Sequence, residues 1–409
     1  MTNTLATAAQ RLGDVLSLHR TLRQPTGLQF AFADRIDLLN THAWDELARH
    51  RGLMMSRDAL RAVERSGISA LQTRYALAFR EGQPVAAVAM QLLELGLDRM
   101  HALPKQRSGS PLDAQLRQRV LICGSMLSGQ LDGVAFAPGE TAQTRWRAVA
   151  EAMYRVRQAE KLTGRPDFVL IKDLDPDQHD DSALLHQLSY RTMATEPNMV
   201  LTLKPEWTSH ADYLAGMTSK YRSSVKQAVL KPMLEAGCTV ERLTPEEVER
   251  EADRIQTLYL AVHDNAAVRP ITATPAYWRE LAALGPERIL VCGLRHQGAL
   301  VGFILVRLDG ETVSAAHVGI DRELAKSLPL YLRLLHAVVE VAISHRAKRA
   351  AFGRTALEPK ARLGCTAVPT VVWARHRQPV LNSLVRGAFG LVTHAEAPVV
   401  NPFKRDAAG

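Results

Sequence analysis

Cysteine is scarce in this chain and so are aromatic residues. The four cysteines, Cys123, Cys238, Cys292 and Cys365, form no C-x-x-C pair, so neither a zinc knuckle nor a redox dithiol is written, and no metal is expected. Cys123 and Cys292 lie inside apolar runs, where a free thiol serves as a small core hydrophobe. Only 5% of the residues are aromatic, and no Lys/Arg run is interleaved with Tyr or Phe. Sequence-independent nucleic-acid binding therefore has little support, and DNA is not an expected partner. Long apolar runs are missing too: the longest candidate, 289–308, is broken by Arg295, His296 and Gln297 and reads as two strands and a turn. Residues 1–23 lack the apolar core and small-residue cleavage site of a secretory signal. The expectation is a cytoplasmic protein without an integral membrane segment, free to touch a membrane surface.

What remains is an ordinary globular composition with a basic bias. The 409 residues are 46% hydrophobic and 23% charged, a length sufficient for two to three domains. Lys and Arg number 51 against 42 Asp and Glu, a formal +9 that favours anionic partners such as a nucleotide cofactor, a phospholipid surface or RNA.

Strand and helix signals alternate, and they do so twice in the same order. The first half shows a hairpin (75–79, a turn at 81–83, and a strand from Val85), a strand at 133–136, a helix at 145–161 and a buried strand at 168–171. The second half repeats this with a hairpin over 289–308, a strand at 312–320, a helix at 328–345 and a strand at 350–352. The equal spacing from helix start to strand predicts a duplicated unit. Each half closes with a short helix and a strand, 184–189 before 199–203, and 358–363 before 368–374. The resulting expectation is an α/β protein of three segments: 1–203, 204–380 and a C-terminal extension 381–409 whose end frays. Residues 105–116 read as an inserted loop.

Several motifs sit on this frame. Lys220, Arg222, Lys226 and Lys231 share a helix whose apolar side carries Tyr221, Val225 and Val229, either a solvated surface or a rim attracting an anion. His263-Asp264-Asn265 ends a helix and reads as C-terminal punctuation or as base and orienter at a loop mouth. Strand 312–320 runs through His317, Val318, Gly319, Ile320 and Asp321 into Lys326, Ser327 and Leu328, with Ser327 a sensible N-cap and the helix start a phosphate site in waiting. Arg354 and Lys360 stand after the last buried strand of the second half, where an α/β transferase would hold an anionic substrate; an Arg354–Glu358 ion pair is the alternative.

Taken together, the Ser219-Lys220-Tyr221-Arg222-Ser223 helix, the Tyr277-Trp278 pair, Val318-Gly319-Ile320-Asp321, Pro329-Leu330-Tyr331, and Phe352-Gly353-Arg354-Thr355 with Lys360 and Gly364 resemble the GNAT superfamily of acyltransferases. The likeness is to the tandem branch often labelled BioF2-like or FemAB-like. The first half looks like a degenerate copy, with Cys123-Gly124 and Lys172-Asp173 in corresponding places. The resemblance implies two tandem GNAT-like units, each a mixed, mostly antiparallel sheet flanked by helices. It also implies transfer of an acyl group from acyl-CoA or acetyl-CoA, or of an aminoacyl group from charged tRNA, to an amine or hydroxyl on a small-molecule, lipid or cell-envelope acceptor. On that basis the donor carbonyl belongs near Val318, Gly319 and Ile320, and phosphates near Lys326, Ser327 and Leu328. Tyr331 is the expected acid and His317 or Asp321 the base, with Arg354, Lys360, His263, Asp264 and Tyr277 on the acceptor side. The glycine-rich phosphate loop of typical members is absent, since 322–327 contains no glycine, which keeps a charged tRNA or a larger acyl donor open.

Overall fold

A computed structural model describes residues 24–95, 118–265, 269–383 and 397–404. The expected loop at 105–116 and residues 1–23 lie outside these. The first half contains β1 (Gln29–Ala33), α1 (Thr41–Ala48), α2 (Arg57–Arg65), β2 (Leu71–Arg80), β3 (Gln83–Leu95), β4 (Gln118–Cys123), β5 (Val134–Phe136), α3 (Ala142–Ala159), β6 (Phe168–Leu174) and β7 (Arg191–Thr202). In the second half, α4 (Ser219–Val225) runs through a π turn at Lys226–Leu230 into α5 (Lys231–Glu235), followed by β8 (Thr239–Leu243), α6 (Pro245–His263) and α7 (Pro275–Ala282). Then come β9 (Ile289–His296), β10 (Ala299–Asp309), β11 (Thr312–Ile320), α8 (Leu330–Ser344), β12 (Arg349–Ala351), α9 (Leu357–Arg362) and β13 (Thr366–His376).

Both expected hairpins form. Each turns on two residues at positive φ, Glu81-Gly82 and Gln297-Gly298, the twist a two-residue hairpin demands. The strands join in one 13-stranded sheet, ordered β1-β2-β3-β4-β6-β13-β7-β12-β11-β10-β9-β8 with β5 beside β3. Only β4–β6 and β11–β12 pair in parallel, so the sheet is mixed and mostly antiparallel as expected.

The order shows a reciprocal exchange that periodicity does not reveal. β13, from the second half, lies between β6 and β7 of the first, and β7 lies between β13 and β12. Trp373 on β13 is fully buried in the first half's core with Trp146, Ile171 and Leu185, its indole donating to Ser182 Oγ at 2.7 Å. The join near residue 204 is therefore a division along the chain, with closing strands crossing it in space. Residues 397–404 of the expected extension are packed: Phe403 lies on Trp207 and Tyr213, and the Thr218 N–H donates to the Pro402 carbonyl at 2.9 Å.

The sequence reading of 133–136 as the first half's third strand needs correcting. β3 pairs with β4 along Met90–Leu95 and with β5 along Ala86–Val88, so the counterpart of continuous β11 is cut in two. Residues 124–133 leave the sheet at a narrow neck. There the Gly124 N–H donates to the Ala89 carbonyl (3.1 Å) and the Ala89 N–H to the Gly133 carbonyl (2.8 Å). A Cβ on Gly133 would overlap the Gly124 backbone, so a larger residue cannot close the neck.

Candidate active site

The candidate site lies where β11 and β12 part. They pair only through Thr312↔Arg349, Val313↔Ala350 and Ser314↔Ala351; β12 then ends and β11 continues to Ile320. On its other edge β11 pairs with β10 from His317↔Leu305 to Ile320↔Gly302, and the Asp321 N–H donates to the Val301 carbonyl at 2.8 Å. Antiparallel alternation then turns the N–H groups of His317, Gly319 and Asp321 toward β10 and those of Val318 and Ile320 into the gap left by β12. Of the three residues expected at the donor carbonyl, Val318 and Ile320 present backbone donors to the gap, whereas Gly319 does not.

Gly319 has a packing role instead. A Cβ there would lie 2.5 Å from the Phe303 ring and 2.6 Å from the backbone of Leu258 and Tyr259 on α6. Gly319→Ala is expected to push α6 off the sheet and lower stability by about 3 kcal/mol, read as a shift in the urea midpoint without change in slope. An unchanged midpoint would contradict this packing.

A cleft of about 340 Å³ opens at the gap. Tyr331, in the first turn of α8, forms one wall with Val318 and Leu335. Burial and then the nearby Cys365 push the Tyr331 hydroxyl up to about 12, so it holds its proton at neutral pH. Opposite lies the turn after β12, which carries Arg354; Thr355 and Ala356 both have left-handed backbones (φ 60° and 45°). First-half side chains from β7 brace this turn: Asn198 Oδ1 accepts from the Gly353 N–H (3.0 Å) and Glu196 Oε2 from the Thr355 N–H (3.2 Å). The strand exchange thus positions the site.

Arg354 pairs with Asp173 of the first half, and Glu358 pairs with Arg362 at 2.7 Å, so the alternative Arg354–Glu358 pair does not form. Asp173 also pairs with Lys172, whose Nζ donates to the Ser125 and Ser128 carbonyls at 3.0 and 2.6 Å. Lys360 is 3% exposed and donates to the carbonyls of Gly353 (3.3 Å) and Arg354 (2.6 Å). Arg307, on β10, pairs with Asp309 and, at 3.0 Å, with Asp132, and donates to Gln130 Oε1 at 2.8 Å. The excursion 124–133 therefore supplies a wall of the second half's cleft.

Other expected site residues lie elsewhere or are already engaged. His317 borders the cleft, but its Nε2 meets Tyr277 Oη at 3.2 Å beneath Trp278; burial first, then Arg307 and His263, lower it to about 4, leaving it neutral. Asp321 is a cap: Oδ1 accepts the N–H groups of Glu323 and Leu324 (both 3.1 Å) and Oδ2 meets Arg254 at 3.2 Å. It does not line the cleft. His263 bonds Tyr259 Oη (3.0 Å) and Thr272 Oγ1 (3.1 Å), and Asp264 pairs with Arg269 (3.3 Å); neither lines the cleft.

The segment expected to bind phosphates is closed on itself. The N–H groups of Ala325, Lys326, Ser327 and Leu328 donate to the carbonyls of Asp321, Glu323, Leu324 and Leu324 again. Ser327 Oγ donates to Leu324 O at 3.1 Å rather than capping α8, whose N-cap is Pro329, and Lys326 pairs with Glu323 at 2.6 Å. No row of free N–H groups is left there for a pyrophosphate.

Arg307, Lys172 and Asp173 as cleft residues were not read from the sequence, although a charged residue inside the apolar run Leu300–Leu308 is itself a signal of a buried polar network. Among the described residues no helix is long and apolar enough to cross a membrane, and no three His, Cys, Asp or Glu converge as for a metal ion.

A sheet split beside a helix start, with backbone donors facing the split, is the arrangement of a GNAT fold. The model of the acetyltransferase (GNAT) domain family matches residues 219–360, spanning α4 to Lys360, and the chain carries that domain in its second half. Among solved structures, FemX shares the fold over 85% of this chain and 98% of its own at 11% identity, with a TM-score of 0.54. The tandem GNAT protein from the clavulanic acid biosynthesis pathway aligns over 86% and 99% at 16% identity, TM-score 0.47. The C-terminal domain of a putative lysylphosphatidylglycerol synthetase from Agrobacterium fabrum aligns over 85% and 95% at 11% identity, TM-score 0.47. No curated protein sequence matches significantly. Residues 219–360 are thus a GNAT domain, as the motifs led us to expect, and the chain shares the fold of FemX.

Proposed function

We propose that the protein moves an acyl group from a carrier ester or thioester to the amine of a small anionic acceptor by direct attack within the β11–β12 cleft. The observation that carries this reading is the parting of the two strands beyond Ser314 and Ala351, which frees the Val318 and Ile320 N–H groups for the oxyanion of the tetrahedral intermediate. The acceptor's nitrogen forms a bond to the carbonyl carbon as the carrier's sulfur or oxygen leaves. Tyr331 gives the leaving atom a proton, and neutral His317, through the Nδ1 that Tyr277 does not engage, takes one from the amine. Arg354 and Lys360 hold an anionic group on the acceptor.

For the donor, the sequence suggests acyl-CoA. Its pyrophosphate would have to be held away from the closed turn at 325–328. That turn favours a second reading, a charged tRNA as donor. A separate groove of about 690 Å³ is lined by Lys220, Tyr221, Ser224 and Arg362, residues suited to a phosphodiester end. Exposed Lys220, Lys226 and Lys231 also suit action in the cytoplasm close to an anionic lipid surface and a lipid or cell-envelope acceptor.

The test is incubation of the full chain with amino-carboxylate and amino-phosphate acceptors, supplied with acetyl-CoA, longer acyl-CoAs or charged tRNA, and read by mass spectrometry. An acylated amine supports the reading and its donor names the carrier. If no donor yields product above that formed by Tyr331→Phe, the reading falls.

A further inference from the structure

The degenerate first half contributes charge to the cleft, and the hydrogen-bond count shows how. Asp173 ends β6 with a left-handed backbone (φ 62°) and is shared by two cations, Lys172 of its own half and Arg354 of the other. All three Nζ protons of Lys172 are taken, by the Ser125 and Ser128 carbonyls and by Asp173, so it has none to offer a ligand. Lys360, by contrast, uses two of its three protons on carbonyls, and Arg354 Nε is buried without an acceptor. Arg307 is neutralised by Asp132 and Asp309. Among the cations lining the cleft, the charge not already neutralised thus belongs to Arg354 and Lys360.

We propose that Lys172 is a positioning residue of the first half: by taking up half of Asp173's charge it leaves Arg354, together with Lys360, free to bind a carboxylate or phosphate on the acceptor. Its location in the acceptor subsite rests on the acyl-transfer reading, but the binding argument does not. Without the ammonium, Asp173 would neutralise Arg354 outright and the subsite would lose its attraction for an oxyanion.

The charged groups around this pair suggest a pH signature. Burial, then the Arg354 guanidinium, push Lys172 down to about 7, with Asp132 opposing and Arg307 adding to the fall. Burial lowers Lys360 to about 8 against the pull of Cys365 and Glu196. As pH rises through 7, Lys172 loses its proton, Asp173 turns wholly to Arg354, and anion affinity declines; a second decline follows near 8 as Lys360 discharges.

Inorganic phosphate and succinate, titrated separately into the full chain by calorimetry without any donor, test the idea and distinguish a phosphate site from a carboxylate site. At pH 6.5, Lys172→Met is expected to weaken the better-bound anion about tenfold. Adding Asp173→Asn to Lys172→Met should restore affinity, because Arg354 is freed again. Lys348→Met, a surface charge control paired with Glu311 at 2.6 Å, should leave binding unchanged. In Lys172→Met the decline near pH 7 should vanish and the one near 8 remain. Circular dichroism melts identify any variant that has failed to fold; if Lys172→Met does, Asp173→Asn alone should tighten binding in a folded protein. The proposal is overturned if neither anion binds the wild type, or if the double variant binds no better than Lys172→Met. Anion binding that follows this pattern without acyl transfer would keep the subsite and discard the transferase reading. Transfer to uncharged amines with no anion binding would do the reverse.

Discussion

Arg307→Met is expected to lower the unfolding free energy by about 3–5 kcal/mol, the cost of breaking a buried ion cluster from one side. Arg307 is 4% exposed and faces two carboxylates, Asp132 from the excursion of the first half and Asp309 at the end of its own strand. Asp309 keeps one other partner, the Leu53 N–H at 2.5 Å, and Asp132 keeps the Ser128 hydroxyl. Neither supplies a positive charge, so the variant leaves two anions in a buried interface. The methionine itself fits the space well enough that cavity formation adds little. Urea unfolding of Arg307→Met and of the triple variant with Asp132→Asn and Asp309→Asn checks the argument: the triple variant should regain a substantial part of the loss, because no unpaired charge remains. A single-variant loss below about 1 kcal/mol would mean that the cluster is hydrated or its geometry differs. Since Asp132 holds the excursion against β10, the same variant should loosen the cleft wall formed by Ser128 and Gln130, seen as faster amide exchange there.

The elements were readable where local pattern decides them. Polar, glycine-bearing turns between apolar runs announced both hairpins, and the helix expected at 328–345 is α8. The pairing of β13 with β6 and β7 was not readable, because β7 and β13 carry similar apolar patterns and the choice among partners depends on the assembled sheet. β4 was missed as a strand because Arg119 interrupts its start and it follows a polar stretch, whereas 133–136 offered a cleaner apolar run. At the site, Tyr331, Arg354 and Lys360 do share one cleft, brought together by the strand that ends at Ala351 and the helix that starts at Leu330. Asp321 was read as a base because it follows the strand carrying His317, yet an aspartate two and three residues ahead of a tight turn is equally the residue that caps it. Ahead of α8, a 3-10 turn at Leu324–Lys326 consumes the N–H groups of 325–328 that a glycine-rich loop would have left free.

Tyr331→Phe is expected to reduce kcat about 100-fold, the usual scale of one proton transfer, while changing KM and stability little. Its ring supplies the packing against α8 and the cleft wall, and phenylalanine keeps that ring. Among the described residues no side chain bonds its hydroxyl, so removing it strands no partner. The size of the loss should depend on what leaves. A thiolate is stable at neutral pH and departs with little help, whereas the ribose oxygen of an aminoacyl ester departs poorly unless protonated. The same substitution should therefore cost more with a tRNA-borne ester than with an acyl-CoA. Because burial holds Tyr331 near 12, the wild-type rate should not fall through loss of this proton between pH 7 and 10. Single-turnover measurements with both donors across that range provide the check. If Tyr331→Phe stays within about threefold of wild type on an oxygen ester, the acid is another group or water, and Tyr331 is only a wall of the cleft.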